Sequence, residues 1–158
     1  MIINWDEYFM AVALLSAKRS KDPSTQVGAC IVGEDKVILG IGYNGTPRGW
    51  DDKKFPWGRE GNALETKYSF VIHAELNAIL NAGGRELKGA TIYVALFPCN
   101  ECAKAIAQTG IKKVVYLNDK YYATDACKAS RLIFKAVGVE CVQLKTDLKK
   151  LTVNFDCE

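Results

Sequence analysis

The chain has 158 residues, room for one hydrophobic core of ordinary domain size. Hydrophobic residues make up 49% and charged residues 25%, which excludes a disordered chain. The 21 basic against 18 acidic residues leave a net charge of +3, too mild to mark a nucleic-acid surface though compatible with a small anionic substrate.

The predicted elements follow in chain order. Trp5, Tyr8, Phe9, Val12 and Leu15 recur at helical spacing, with Asn4 and Glu7 as a capping pair and Asp22-Pro23 ending the helix. Val27 to Val32 and Val37 to Tyr43 are short β-branched runs around Gly33-Glu34-Asp35-Lys36, the pattern of a hairpin. From Asn44 to Phe70 no period holds. A loop of roughly 25 residues is too long for a mere connector and is expected to be functional or partly ordered. Ile72 to Ala82 then reads as a helix, Thr91 to Leu96 as a strand, Cys99 to Gln108 as a helix closed by Gly110, and Lys113 to Leu117 as a strand. Thr124 to Val137 is helical in pattern and Val139 to Leu144 is a last strand, while Lys145 to Glu158 supports no assignment. This order predicts one α/β domain over residues 1–158. Its form is a three-layer α-β-α sandwich around a mixed five-stranded sheet, antiparallel at the hairpin and parallel where helices cross over.

No apolar run approaches the ~20 residues that span a bilayer. The segment Met1-Ile2-Ile3-Asn4-Trp5 has neither a basic start nor an apolar signal core, so a cytoplasmic protein with no membrane partner is expected. The six cysteines are then reduced, and Cys30, Cys127, Cys141 and Cys157 are small apolar fillers. One histidine in the chain means that imidazole chemistry rests on His73.

Two groups carry chemistry: His73-Ala74-Glu75 and Pro98-Cys99-Asn100-Glu101-Cys102, each at the start of a predicted helix. Cys99 and Cys102, three apart, share one side of a first turn, where Pro98 is tolerated. Side chains tilt toward a helix N-terminus, so His73 and Glu75 can both reach a centre lying off the helix end. One imidazole and two thiolates form a three-ligand zinc set with the fourth position open to water, the pattern of a catalytic site. Glu75, beside that position, is the natural proton carrier. Three other readings compete. A structural zinc site needs a fourth ligand that the scattered cysteines do not supply, a thioredoxin-like CxxC pair leaves His-x-Glu unexplained, and a retired scaffold has no need for Glu75.

His-x-Glu with Pro-Cys-x-x-Cys is the signature of zinc nucleobase deaminases. On these residues the chain resembles the cytidine and deoxycytidylate deaminase family. Its deoxycytidylate branch is indicated by Ser20-Lys21-Asp22-Pro23, Gly42-Tyr43-Asn44-Gly45, Glu65-Thr66-Lys67-Tyr68 and Asp119-Lys120-Tyr121. The likeness runs from about Trp5 to Gly138 and fades in the C-terminal tail.

The resemblance implies a cytidine deaminase-like fold and hydrolysis of dCMP to dUMP with release of ammonia. It assigns one catalytic Zn²⁺ per subunit to His73, Cys99 and Cys102, and the proton shuttle to Glu75. Substrate contacts are expected at Asn44 (sugar hydroxyl), Ala74 and Pro98, with Arg19, Lys21 and Thr25 at the phosphate and Tyr121 or Tyr122 packing on the substrate. Asn44 has a lesser reading as a turn residue, the tyrosines read equally as core, and basic residues at a helix end are more often solvated. The branch further implies a homohexamer activated by dCTP with Mg²⁺ and inhibited by dTTP. Gly45, Arg48, Trp50, Arg59 and Glu65 of the long loop are the candidate effector residues. A tRNA adenosine deaminase is disfavoured by the mild charge.

Overall fold

The computed structural model describes residues 1–156. Nine regular elements appear among them: α1 (Trp5–Ala17), β1 (Gly28–Val32), β2 (Ile38–Tyr43), α2 (Ala74–Asn81), β3 (Thr91–Leu96), α3 (Asn100–Thr109), β4 (Lys113–Asn118), α4 (Asp125–Val137) and β5 (Glu140–Gln143). They form a five-stranded sheet in the order β2-β1-β3-β4-β5. β1 is antiparallel to both neighbours, Gly28 facing Tyr43 and Ala29 facing Val94, while β3, β4 and β5 run parallel. The crossover through α2 therefore joins β2 to β3, two strands that point the same way with β1 between them.

Alternation along the strands sorts side chains into two cores. Ala29, Ile31, Ile92, Val94 and Val114 face α2, α3 and α4 and meet Ala74, Ala78, Ala103, Ile106 and Phe134. Cys30, Val32, Tyr93 and Val115 face the other way and are covered by Phe9, Met10 and Ala13 of α1. The result is three layers, with three helices on one face and one on the other.

α1 begins where the capping pair places it: Asn4 Oδ1 accepts from Glu7 N–H at 2.9 Å, and Glu7 Oε2 accepts from Asn4 N–H at 3.0 Å. It ends at Ala17, five residues before Asp22. The N–H groups of Lys18, Arg19 and Ser20 turn to carbonyls three residues back, tightening and ending the helix, while Asp22 organises the following loop. Val27 also lies outside its strand, because its N–H goes to Asn44 Oδ1 at 2.8 Å in place of a ladder partner. Gly110 closes α3 at φ +79°, a left-handed turn that glycine adopts without strain.

How α2 sits on the edge strand β2 decides where the site lies. A Cβ at Gly42 would stand 2.3 Å from Ala78 N and 2.6 Å from Ala74 O, and one at Gly40 would stand 2.3 Å from Ala78 O. The missing side chains let the helix backbone lie directly on the strand. Asn77, Asn81 and Arg85 then donate to Tyr43 O, Ile41 O and Leu39 O at 2.8, 2.8 and 2.9 Å. These three bonds fix the helix register and cover carbonyls that an edge strand leaves open.

The segment 44–70 is built of turns, with a single 3₁₀ turn at Lys67–Ser69. It is held from inside by Trp50 against Phe55 and Phe70, and by a bridge from Gly45 to Ile72. Beyond β5 the chain runs without regular structure, tied by Thr146 Oγ1 donating to Glu7 Oε1 at 2.6 Å. Among the described residues all cysteines are free thiols, and Cys157 lies outside those residues. No described helix is long and apolar enough to cross a membrane.

Candidate metal centre and active site

His73 is the N-cap of α2 and Cys99 the N-cap of α3, and neither side chain caps its own helix. Both turn instead to one point. His73 Nδ1 lies 3.5 Å from the sulfurs of Cys99 and Cys102, and the three ligand atoms fall within 4.8 Å of one another. Tetrahedral zinc with Zn–S of about 2.3 Å and Zn–N of about 2.05 Å holds sulfur and nitrogen roughly 3.6 Å apart, so this donor set fits the ion. It is the one such cluster among the described residues. Two helix N-termini aim their partial positive charge here, which favours anionic sulfur.

The protons of the site follow from these contacts. A hydrogen bond from the Cys102 thiol, and another from His73, hold the Cys99 thiol down to about 3 despite burial. Cys102 is pushed the other way by its bond to the Cys99 thiolate and by burial. Zinc loading needs both sulfurs as thiolates and so releases the proton that Cys102 keeps. Glu75 sits one residue into α2, 5% exposed, with Oε2 accepting from Cys102 Sγ at 3.5 Å. Burial lifts its carboxyl above the ordinary range, with the nearby His73 opposing. A carboxyl so placed stands beside the ligand set and outside it.

A cavity of about 380 Å³ opens over this floor, within the range of small-molecule sites. His73, Ala74, Glu75 and Cys99 line its base, Val27, Val71, Leu96 and Phe97 are among its apolar walls, and Asp22, Thr25, Asn44, Arg59, Lys67, Tyr68, Tyr121 and Thr124 its polar surface. Of the expected substrate residues, Thr25, Asn44, Ala74 and Tyr121 lie on it, while Arg19, Lys21, Tyr122 and Pro98 do not. Arg19 is solvated beyond the end of α1, Lys21 is paired with Asp52, Tyr122 points to solvent at 66% exposure, and Pro98 is packed in the core. Of the loop residues expected at an effector site, Arg59 instead lines this cavity. There it donates through Nε to Tyr68 Oη at 3.1 Å, which leaves four of its five N–H donors free of that bond. Gly45, Arg48, Trp50 and Glu65 lie outside it.

Asn44 braces the wall. Its Nδ2 group donates to Thr25 O at 2.9 Å and to Asp22 Oδ2 at 3.3 Å, so the side chain keeps one lone pair on Oδ1 for a ligand. Sequence reasoning missed Asp22 and Lys67 as site residues. They form a buried ion pair on the cavity wall, Nζ to Oδ2 at 2.6 Å. Burial alone would raise the Asp22 carboxyl, but Lys67 and the N–H groups of Ser24 and Thr25 outweigh it and hold it low. Asp-Pro-Ser-Thr reads locally as a turn, and no local pattern points to a partner 45 residues away.

The family model for the cytidine and deoxycytidylate deaminase zinc-binding region matches residues 3–118, which contain all three ligands and Glu75. The chain belongs to this family. It is 54% identical over 155 residues to the deoxycytidylate deaminases of Mus musculus and Homo sapiens, covering 98% of this chain and 87% of each relative. Among solved structures, it resembles the dCMP deaminase of cyanophage S-TIM5 in complex with dCMP and dUMP. That match has a TM-score of 0.72 at 30% identity, over 91% of this chain and 99% of that one. The family's mixed five-stranded sheet with helices is the fold found here. A deaminase-family enzyme with a zinc-binding centre is thereby established.

Proposed function

We propose that this chain, acting as one deaminase domain over residues 1–158, hydrolyses dCMP to dUMP and ammonia. The observation that carries the reading is the convergence of His73, Cys99 and Cys102 with the buried Glu75 at a cavity that Arg59 also lines. Bound by those three ligands, zinc supplies Lewis acidity and brings water within reach of ionisation at neutral pH. Glu75 takes one proton from the attacking water at Oε2 and delivers it to the pyrimidine N3, then carries the second proton, from the new C4 hydroxyl, to the departing amine, a relay that suits a carboxyl with a raised pKa. Addition at C4 and loss of the amino group leave the C4 carbonyl of dUMP and one ammonia, so atoms and protons balance.

The remaining groups orient the nucleotide. Phe97 and Val71 pack against the ring, Ala74 offers an N–H from the first turn of α2, and Asn44 Oδ1 accepts from the sugar hydroxyl. Arg59 binds the phosphate with Thr25 and Tyr121 beside it, since its guanidinium meets phosphate oxygens in fork geometry.

Further proposals rest on the likeness to the deoxycytidylate branch. They are a homohexamer, activation by dCTP with Mg²⁺, inhibition by dTTP, and a cytoplasmic setting with neither nucleic acid nor membrane as partner. Gly45, Arg48, Trp50 and Glu65 are the residues left for an effector.

The test is a side-by-side assay of dCMP, deoxycytidine and cytosine, with ammonia measured directly. Preference for dCMP supports the reading, and equal or better turnover of the free nucleoside defeats it. A charge-assisted contact worth about 1.5–3 kcal/mol predicts that Arg59→Met lowers kcat/KM for dCMP roughly 10- to 150-fold and leaves any turnover of deoxycytidine unchanged.

A further inference from the structure

The carboxyl ends of β3 and β4 lie side by side, Leu96 opposite Asn118, and the loops leaving them carry two different parts of the site. From β3 the chain passes through Phe97 and Pro98 to the ligand Cys99. From β4 it passes through Asp119 and Lys120 to Tyr121 on the cavity. Arg131, from the middle of α4, touches both. Its guanidinium lies 4.1 Å over the ring of Phe97 and is ion-paired through Nη2 to Asp119 Oδ2. Phe97 is itself fixed by edge contacts with Tyr116 and Phe134 and by its N–H donating to Asn118 O at 2.9 Å. On the far side, Lys120 N–H donates to Asn118 Oδ1 at 2.7 Å and Thr124 N–H to Tyr121 O at 3.0 Å.

We infer that Arg131 is a positioning residue, a clamp that sets the Tyr121 loop at a fixed distance from the turn carrying Cys99, and so shapes the cavity for the nucleotide. The clamp closes through one oxygen and one nitrogen. Asp119 Oδ1 and Arg131 Nη1 are buried without a hydrogen-bond partner among the described residues. Arginine–carboxylate pairs frequently close as a two-pronged fork, and buried groups left unsatisfied call for another reason. Here the stack on Phe97 holds the guanidinium plane, and the loop docks on the prong that remains. Neither residue is a ligand, and neither lines the cavity.

The part of this inference that concerns substrate rests on the dCMP reading, so two measurements separate them. The first needs no substrate. Trypsin cleavage after the exposed Lys120, followed by mass spectrometry on zinc-loaded protein, is expected to quicken about tenfold in Arg131→Met and in Asp119→Asn. The second reads the site. In both variants KM for dCMP and the dissociation constant of dUMP by calorimetry should rise about tenfold. kcat should stay within threefold and zinc at one per chain, with Arg131→Lys keeping part of the affinity through the ion pair. The double variant should lose no more than either single one, since both break the same clamp. Unchanged cleavage at Lys120 in folded variants overturns the clamp, as do additive losses in the double variant. If Arg131→Met does not fold, Asp119→Asn decides alone, because it keeps the stack on Phe97. Should the unaltered protein not turn over dCMP, the substrate reading falls and the cleavage rates still decide the clamp.

Discussion

At the scale of single residues, the chemistry depends on a carboxyl that burial keeps poised to hold a proton. Glu75 has a sulfur neighbour at 3.5 Å and 5% exposure, so its ionised form lacks most of the water that would stabilise it. Glu75→Gln keeps the shape and the acceptor oxygen while removing the ability to carry the proton. It should retain one zinc per chain and a cooperative unfolding transition, and lose about 10²- to 10⁴-fold in kcat. Metal analysis beside single-turnover assays checks both halves, and a variant active within a few-fold would remove Glu75 from the proposed proton path. His73, Glu75, Cys99 and Cys102 are legible in the sequence because two short spacings at two helix starts suffice to join them. Arg59, Asp22 and Lys67 are not. Arg59 and Lys67 reach the cavity only through the turns of the 44–70 segment, and the ion pair that pins that segment to Asp22 links residues 45 positions apart.

At the scale of elements, the site is set by how close α2 can come to β2. The Gly-Tyr-Asn-Gly stretch carries subfamily likeness in the sequence, and its first glycine has a packing reason, a helix backbone atom 2.3 Å from where a Cβ would stand. Gly42→Ala must push α2 outward and with it His73 and Glu75, while Cys99 and Cys102 on α3 stay. Overpacking of this kind costs about 1–3 kcal/mol. Protein purified without added metal should therefore unfold at lower denaturant and contain less than one zinc per chain, and full occupancy at unchanged stability would contradict this account. Strand and helix order is readable from period and punctuation: the strand runs are short and apolar, and Gly or Pro marks ends such as Pro98 after β3, Gly110 after α3 and Gly138 after α4. Where boundaries moved, a long-range contact took over. Val27 left its strand for the side chain of Asn44, and α1 ended early because Asp22 serves the loop and not the helix.

At the scale of the whole molecule, the zinc ligands come from two βα units that the chain order keeps apart. His73 follows the β1–β2 hairpin and the long loop, whereas the cysteines follow β3. An ion shared between them ties the start of α2 to the start of α3 across the face carrying the larger core. That core, from Ala29 and Ile31 to Ile106, Val114 and Phe134, buries side chains of all three helices, and none of them is a zinc ligand. Chelation should thus weaken the fold without abolishing it. Metal held at 1,000 times its dissociation constant contributes about 4.1 kcal/mol. In a chain of this length each kcal/mol moves the melting temperature by about 2–4 °C. Exhaustive chelation should lower Tm by roughly 8–16 °C with the far-ultraviolet circular dichroism unchanged at 25 °C. Zn²⁺ should restore the loss and Mg²⁺ should not, because hard cations take oxygen donors and this site offers one nitrogen and two sulfurs. An apo protein that melts at the same temperature would mean that the three ligands do not bridge the two units in solution. One that unfolds completely on chelation would mean that the core between the sheet and its three helices does not hold the fold alone.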